Sequence, residues 1–184
     1  VAAARDALPS ARLKVDANMG YTLAGALEAL RKLCEYGIIY AEQPVASIED
    51  MAALRFAIAK EGLPARIAAD ESIRKAEDPL KVARANAADL MVIKAAPLGG
   101  VRRALALVEQ AQLPAVVSSA LESSVGIGVG ASLAASLPTL KYGCGLGTVS
   151  LMAKDVTDEP LIARDGFMDL RAITPSPQRL ERLA

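Results

Sequence analysis

Four charged residues each close a short apolar run: Asp16 after Leu13 to Val15, Glu42 after Ile38 to Ala41, Asp70 after Ile67 to Ala69, and Lys94 after Leu90 to Ile93. Charged groups are seldom buried without partners, because desolvating a charge costs more than apolar packing returns. Three carboxylates brought to one place repel one another unless a cation lies between them. An all-oxygen donor set with neither His nor Cys suits Mg2+, with Mn2+ able to substitute. An ammonium opposite such a centre can give or take a proton beside an anion that the cation stabilises. The ordinary alternatives are structural: each acid can cap the helix that follows, and Lys94 can snorkel from a strand end.

The absence of histidine narrows the chemistry further. Any general acid or base must be a lysine, a carboxylate or a tyrosine. Cys34 and Cys144 are too few for a disulfide framework or a zinc site, which suits thiols kept reduced in the cytoplasm. Lys plus Arg and Asp plus Glu balance at 21 each, so no electrostatic footprint exists for nucleic acid or an anionic membrane surface. No apolar run reaches the roughly 18 residues that a membrane-spanning helix requires.

The elements that carry these groups repeat. The strand-end positions 16, 42, 70, 94 and 119 lie 24 to 28 residues apart. That is the length of one strand plus one crossover helix, as successive parallel strands demand. Thr22 and Ser47 stand at helix starts, Gly37 and Gly62 at helix ends, and Asp78-Pro79 opens a helix over Leu80 to Asn86. Met51, Leu54, Phe56 and Ile58 are the apolar positions expected on the helix after Ser47. Apolar residues make up 53% of the chain but aromatics only 3%, so small aliphatic side chains must fill the core, as in buried parallel sheets. With a glycine-punctuated run from Tyr142 to Leu146 as a last strand, six βα units are expected. An open doubly wound sheet would announce itself by a G-x-G-x-x-G turn after its first strand, and none is there.

The expected fold is α/β, a TIM-like (β/α) barrel. Its active site lies at the carboxyl ends of the strands, where Asp16, Glu42, Asp70 and Lys94 fall. Residues 1–150 would form the partial barrel, strands 3 to 8 of a complete one, and 151–184 a tail that packs elsewhere. An N-terminal capping domain and the first strands are expected before Val1.

Val15-Asp-Ala-Asn18, Ala41-Glu-Gln-Pro44, Ala68-Ala-Asp-Glu-Ser72 and Val92-Ile-Lys94 resemble the metal-and-lysine series of the enolase superfamily, in its muconate-lactonizing branch. Longer phrases are similar to the actinobacterial type of o-succinylbenzoate synthase. These are Ile67-Ala-Ala-Asp-Glu-Ser-Ile73, Lys94-Ala-Ala-Pro-Leu-Gly-Gly-Val101, Val117-Ser-Ser-Ala-Leu-Glu-Ser-Ser-Val-Gly126 and Cys144-Gly-Leu-Gly-Thr148.

The resemblance implies that Asp16, Glu42 and Asp70 ligate one Mg2+, with Asn18, Gln43 and Glu71 beside them. It implies that Lys94 faces a developing enediolate, a chemistry general to such sites. Ser118, Ser119 and Leu121 would border the substrate's succinyl arm. The implied reaction is the syn dehydration of a cyclohexadiene carboxylate, a small-molecule substrate, on the way to menaquinone. The family's K-x-K motif, whose second lysine abstracts the proton, has no counterpart here. Lys14-x-Asp16 matches the spacing but ends on a carboxylate, so the motif is expected upstream of Val1, in the remaining N-terminal part of the same enzyme.

Other readings stay open on the residues alone. N-acylamino acid racemisation or dipeptide epimerisation would use nearly the same site. A Schiff-base aldolase could use Lys94 as its nucleophile, but it leaves the three acids without a role. A catalytically inactive fragment is the last of them.

Overall fold

The computed structural model describes residues 1–75 and 77–181. Strands and helices alternate: α1 (Ala2–Ala7), β1 (Val15–Asp16), α2 (Leu23–Cys34), β2 (Ala41–Glu42), α3 (Ile48–Glu61), β3 (Ile67–Ala69), α4 (Glu71–Arg74), α5 (Lys81–Arg84), β4 (Leu90–Ile93), α6 (Val101–Ala111), β5 (Ala115–Val117) and α7 (Ser124–Ala135). A 3-10 turn over Gly147–Leu151 and a short α8 (Pro177–Glu181) follow. The five strands form one parallel sheet in chain order. The chain divides into two compact units: Val1–Met91 with Ala111–Leu113, and Val92–Gln110 with Pro114–Ala184.

In the first unit the register is continuous. Val15 and Asp16 pair with Ala41 and Glu42, Ala41 and Glu42 with Ile67 and Ala68, and Ala68 and Ala69 with Leu90 and Met91. Backbone bonding runs on past β1 and β2, from Ala17 N to Glu42 O at 3.1 Å and from Gln43 N to Ala68 O at 2.8 Å, whereas after β3 the Gln43 side chain takes Asp70 N. β3 and β4 are buried along their whole length, as a sheet covered on both faces requires. Helix starts follow the expected caps: Thr22 Oγ1 accepts from Gly25 N at 3.2 Å and Ser47 Oγ from Asp50 N at 3.0 Å. Gly62 ends α3 in the left-handed region at φ 65°, where a side chain would be strained. Met51, Leu54 and Ile58 form the buried stripe of α3, each worth about 1.5–3 kcal/mol of burial.

In the second unit, Ser118 N donates to Ile93 O at 2.9 Å, and β5 packs beneath α7. Among the described residues no helix is long and apolar enough to cross a membrane.

Three expectations need correction. The sixth strand over Tyr142 to Leu146 is reduced to a single parallel bridge between Ser118 and Gly145. Glycines 143, 145 and 147 supply no side chains to pack on a pleated surface. A Cβ on Gly145 would also lie 2.7 Å from Ser118 Oγ, so a larger residue there requires that hydroxyl to turn away. Phe56, counted on the apolar face of α3, is 72% exposed, because the buried stripe runs through positions 51, 54 and 58. The helix after Asp78-Pro79 spans only Lys81–Arg84, and Asp78 caps a turn ahead of it through Leu80 N at 3.2 Å.

Candidate active site

In the first unit the carboxylates stand at or just past the carboxyl ends of successive strands. Asp16 ends β1 and Glu42 ends β2, and the two are partners in register. Asp70 follows β3 by one residue and is buried. Asp16 is exposed and locally engaged: Oδ1 accepts from Asn18 N at 2.9 Å and Oδ2 from Asn18 Nδ2 at 3.0 Å. This Asx turn puts Asn18 and Met19 at positive φ, 43° and 65°. Asn18 therefore holds the Asp16 carboxylate through both its backbone and its side chain.

Gln43 is wholly buried and left-handed at φ 34°. Its Oε1 accepts from Asp70 N at 3.0 Å and Ser72 N at 3.1 Å. Its Nε2 donates to Val45 O at 3.0 Å and Ser72 Oγ at 2.8 Å, and touches Met51 Sδ at 3.0 Å. One amide thus joins the end of β2 to the turn after β3.

Glu71 opens the single-turn helix α4. Its Oε1 accepts from Arg74 Nη2 at 2.8 Å, and its Oε2 is buried without a hydrogen-bond partner. Arg74 also meets Asp70 through Nε at 3.2 Å. Burial acts to lower the pKa of the Arg74 guanidinium, but the fields of Asp70 and Glu71 outweigh it and hold it above its ordinary value.

The donor chemistry fits a hard divalent cation: oxygen atoms only, two buried acids side by side, and one buried carboxylate oxygen with capacity to spare. The side chains are not drawn into one chelating group. Among the described residues, no three His, Cys, Asp or Glu stand together in a cluster able to hold a metal.

In the second unit Lys94 directly follows β4 and is only 9% exposed. Its backbone carbonyl accepts from Leu98 N at 3.3 Å, which turns the chain towards α6. Ser118 and Ser119 follow β5. Ser119 N donates to Gly145 O at 3.0 Å, and its hydroxyl shares a 2.6 Å hydrogen bond with Thr148. Ser119 Oγ also accepts from Leu121 N at 2.9 Å. Leu121 is held at φ 67° with 63% of its surface exposed, an unusual conformation and setting for a leucine. The three residues expected along the substrate arm are thus one hydrogen-bonded turn.

Sequence reading missed Arg74, Thr148 and Asp155. Arg74 was legible as the i+4 and i+3 partner of Asp70 and Glu71. Asp155 is buried, accepts from Ser124 N at 3.0 Å and from the Ser124 hydroxyl, and so fastens the tail to the start of α7.

The barrel-type sheet with acids at its strand ends defines an enolase-like catalytic domain. The family model described as enolase C-terminal domain-like matches residues 1–175, and the chain belongs to that family. It is 48% identical over 181 residues to o-succinylbenzoate synthase of Thermobifida fusca, covering 98% of this chain and 56% of the relative. To the synthase of Mycolicibacterium smegmatis it is 51% identical over 185 residues, covering 100% and 55%. Among solved structures, muconate lactonizing enzyme from Pseudomonas fluorescens, complexed with muconolactone, superposes with a TM-score of 0.85 at 30% identity. That match covers 98% of this chain and 50% of the other. The chain spans about half the length of the curated relatives it matches.

Proposed function

We propose that this chain carries the metal-binding acids and one catalytic lysine of an o-succinylbenzoate synthase, a lyase that removes water in syn fashion from a cyclohexadiene carboxylate. The observation that carries this reading is 51% identity to a protein of that name across the whole chain. The order of acid, acid, acid and lysine on successive strand ends supports it.

In this reading Asp16, Glu42 and Asp70 hold Mg2+, or Mn2+ in its place. When bound, the cation supplies positive charge against the substrate carboxylate. Asn18, Gln43 and Glu71 keep the three acids oriented. Lys94 stabilises the negative charge that builds on the substrate as its proton leaves. Ser118, Ser119 and Leu121 border the succinyl arm, with the Ser119–Thr148 hydroxyl pair fixing their turn. The hydroxyl group departs with a proton as water, and gain of aromaticity drives the step. The proton-abstracting lysine is assigned to a portion of the protein outside this chain, since the relatives are about twice as long. A cytoplasmic setting and a small-molecule carboxylate substrate go with this chemistry.

The test is turnover of the cyclohexadiene substrate by the full-length protein, before and after chelation. Activity that EDTA abolishes and Mg2+ restores is the expected result. No turnover, turnover indifferent to chelation, or borohydride trapping of Lys94 with a carbonyl substrate would overturn the reading.

A further inference from the structure

We infer that Arg74 is a positioning residue that shares Asp70 with the bound cation and holds metal affinity down. The inference rests on the reading of Asp70 as a metal ligand.

The geometry is a fork across two adjacent acids. Arg74 Nε lies 3.2 Å from both carboxylate oxygens of Asp70, and Nη2 lies 2.8 Å from Glu71 Oε1. The acids' side chains are 3% and 6% exposed and the arginine's 26%, so little water screens the three charges. The single turn of α4 sets this contact, because it puts residue 74 back over residues 70 and 71. A guanidinium suits the place, being planar, permanently charged and able to offer separate N–H groups to two acceptors.

Two effects of opposite sign follow for a cation on Asp70. The guanidinium orients the carboxylate, which favours binding, and it repels a dication, which opposes it. The backbone of residue 70 is already held from the other side. Gln43 Oε1 accepts from Asp70 N and Ser72 N, and β3 fixes the backbone just before them. Removing Arg74 leaves that backbone in place but deletes a positive charge beside the ligand. Repulsion decides the sign. Arg74 stabilises the buried acid pair while it moderates the cation's hold on Asp70.

The experiment is calorimetric titration of Mg2+ into the metal-stripped full-length protein, with thermal midpoints measured in parallel without metal. Arg74→Met is expected to bind Mg2+ at least about tenfold more tightly, the order that one nearby unit charge exerts on a dication even under water-like screening. It should also melt lower without metal. Arg74→Lys keeps the charge but loses the fork. It should bind within about twofold of the parent while also melting lower, and so separates charge from shape. If Arg74→Met fails to fold, Arg74→Gln carries the same expectation. Unchanged affinity with a lowered midpoint would make Arg74 merely structural, and weakened affinity would make it an orienting group only; either overturns the inference and leaves the metal reading intact. A parent protein that binds no Mg2+ would overturn both.

Discussion

The side-chain oxygen of Gln43 and the backbone N–H of Asp70 are joined by a buried 3.0 Å hydrogen bond that links the end of β2 to the residue after β3. The same oxygen accepts from Ser72 N, and the amide nitrogen donates to Val45 O and Ser72 Oγ. Only an amide supplies both an acceptor and a two-hydrogen donor at one spot. The neighbour of the second acid thereby sets the backbone of the third.

Gln43→Met would keep the volume and leave two buried N–H groups unsatisfied. Each such group costs about 1–3 kcal/mol, so a loss of roughly 3 kcal/mol in urea denaturation is expected. Gln43→Glu should be no milder, because it removes the donors to Val45 and Ser72 and buries a charge. A stability within error of the parent for both variants would show that the amide network is dispensable.

Glu42→Gln tests the metal assignment without disturbing the core, since residue 42 is half-buried and its register with Asp16 rests on backbone bonds. A neutral amide holds Mg2+ far more weakly than a carboxylate, whereas relief of repulsion among acids spares the fold. The full-length variant should lose turnover and Mg2+ affinity together and keep its thermal midpoint. Normal turnover at limiting Mg2+ would remove Glu42 from the ligand set.

What was legible beforehand follows from how local its cause is. The caps at Thr22 and Ser47 and the stop at Gly62 depend on a few neighbouring residues, and all three stand as expected. The steady spacing of strand-end charges carried the sheet order, because parallel strands need crossovers of that length. The Tyr142 to Leu146 run was overread, since alternation within it could not reveal that Gly145 is pressed against Ser118. Phe56 was overread for another reason: a large apolar residue on a helix is not thereby on its buried stripe. Asp155 acts through burial, which residue types alone do not disclose, whereas Arg74 lay open to its i+3 and i+4 spacing from two acids. The acids were legible as residues at strand ends, but the bonds that Asp16 makes to Asn18 were not.

Asp155 offers a test of how the tail is held. Its carboxylate accepts from Ser124 N and the Ser124 hydroxyl, and Ser124 Oγ in turn accepts from Leu161 N at 2.7 Å. A negative charge at the first turn of α7 is also favourable to the helix. Asp155→Ala removes both acceptors that hold Ser124 and should cost about 3 kcal/mol. Limited proteolysis should then cut between residues 155 and 165 well before the rest of the protein. Equal protease resistance in variant and parent would mean that other contacts hold the tail.

Lys94→Ala bears most directly on the proposed chemistry. The residue is only 9% exposed at the end of a fully buried strand, a costly location for an ammonium that had no use for its charge. If that charge serves chiefly when negative charge develops on the substrate, its loss must appear in kcat and hardly in KM. A preorganised charge in a water-poor site contributes about 3–4 kcal/mol or more, so kcat of the full-length protein should fall by roughly a hundred- to a thousandfold at least. Lys94→Arg should not restore it, because a planar guanidinium is broader than an ammonium and delivers its charge from another position. Mg2+ affinity measured by calorimetry should survive in both variants, which separates this role from that of the acids. Near-normal kcat in Lys94→Ala would return the residue to a snorkelling lysine at a strand end.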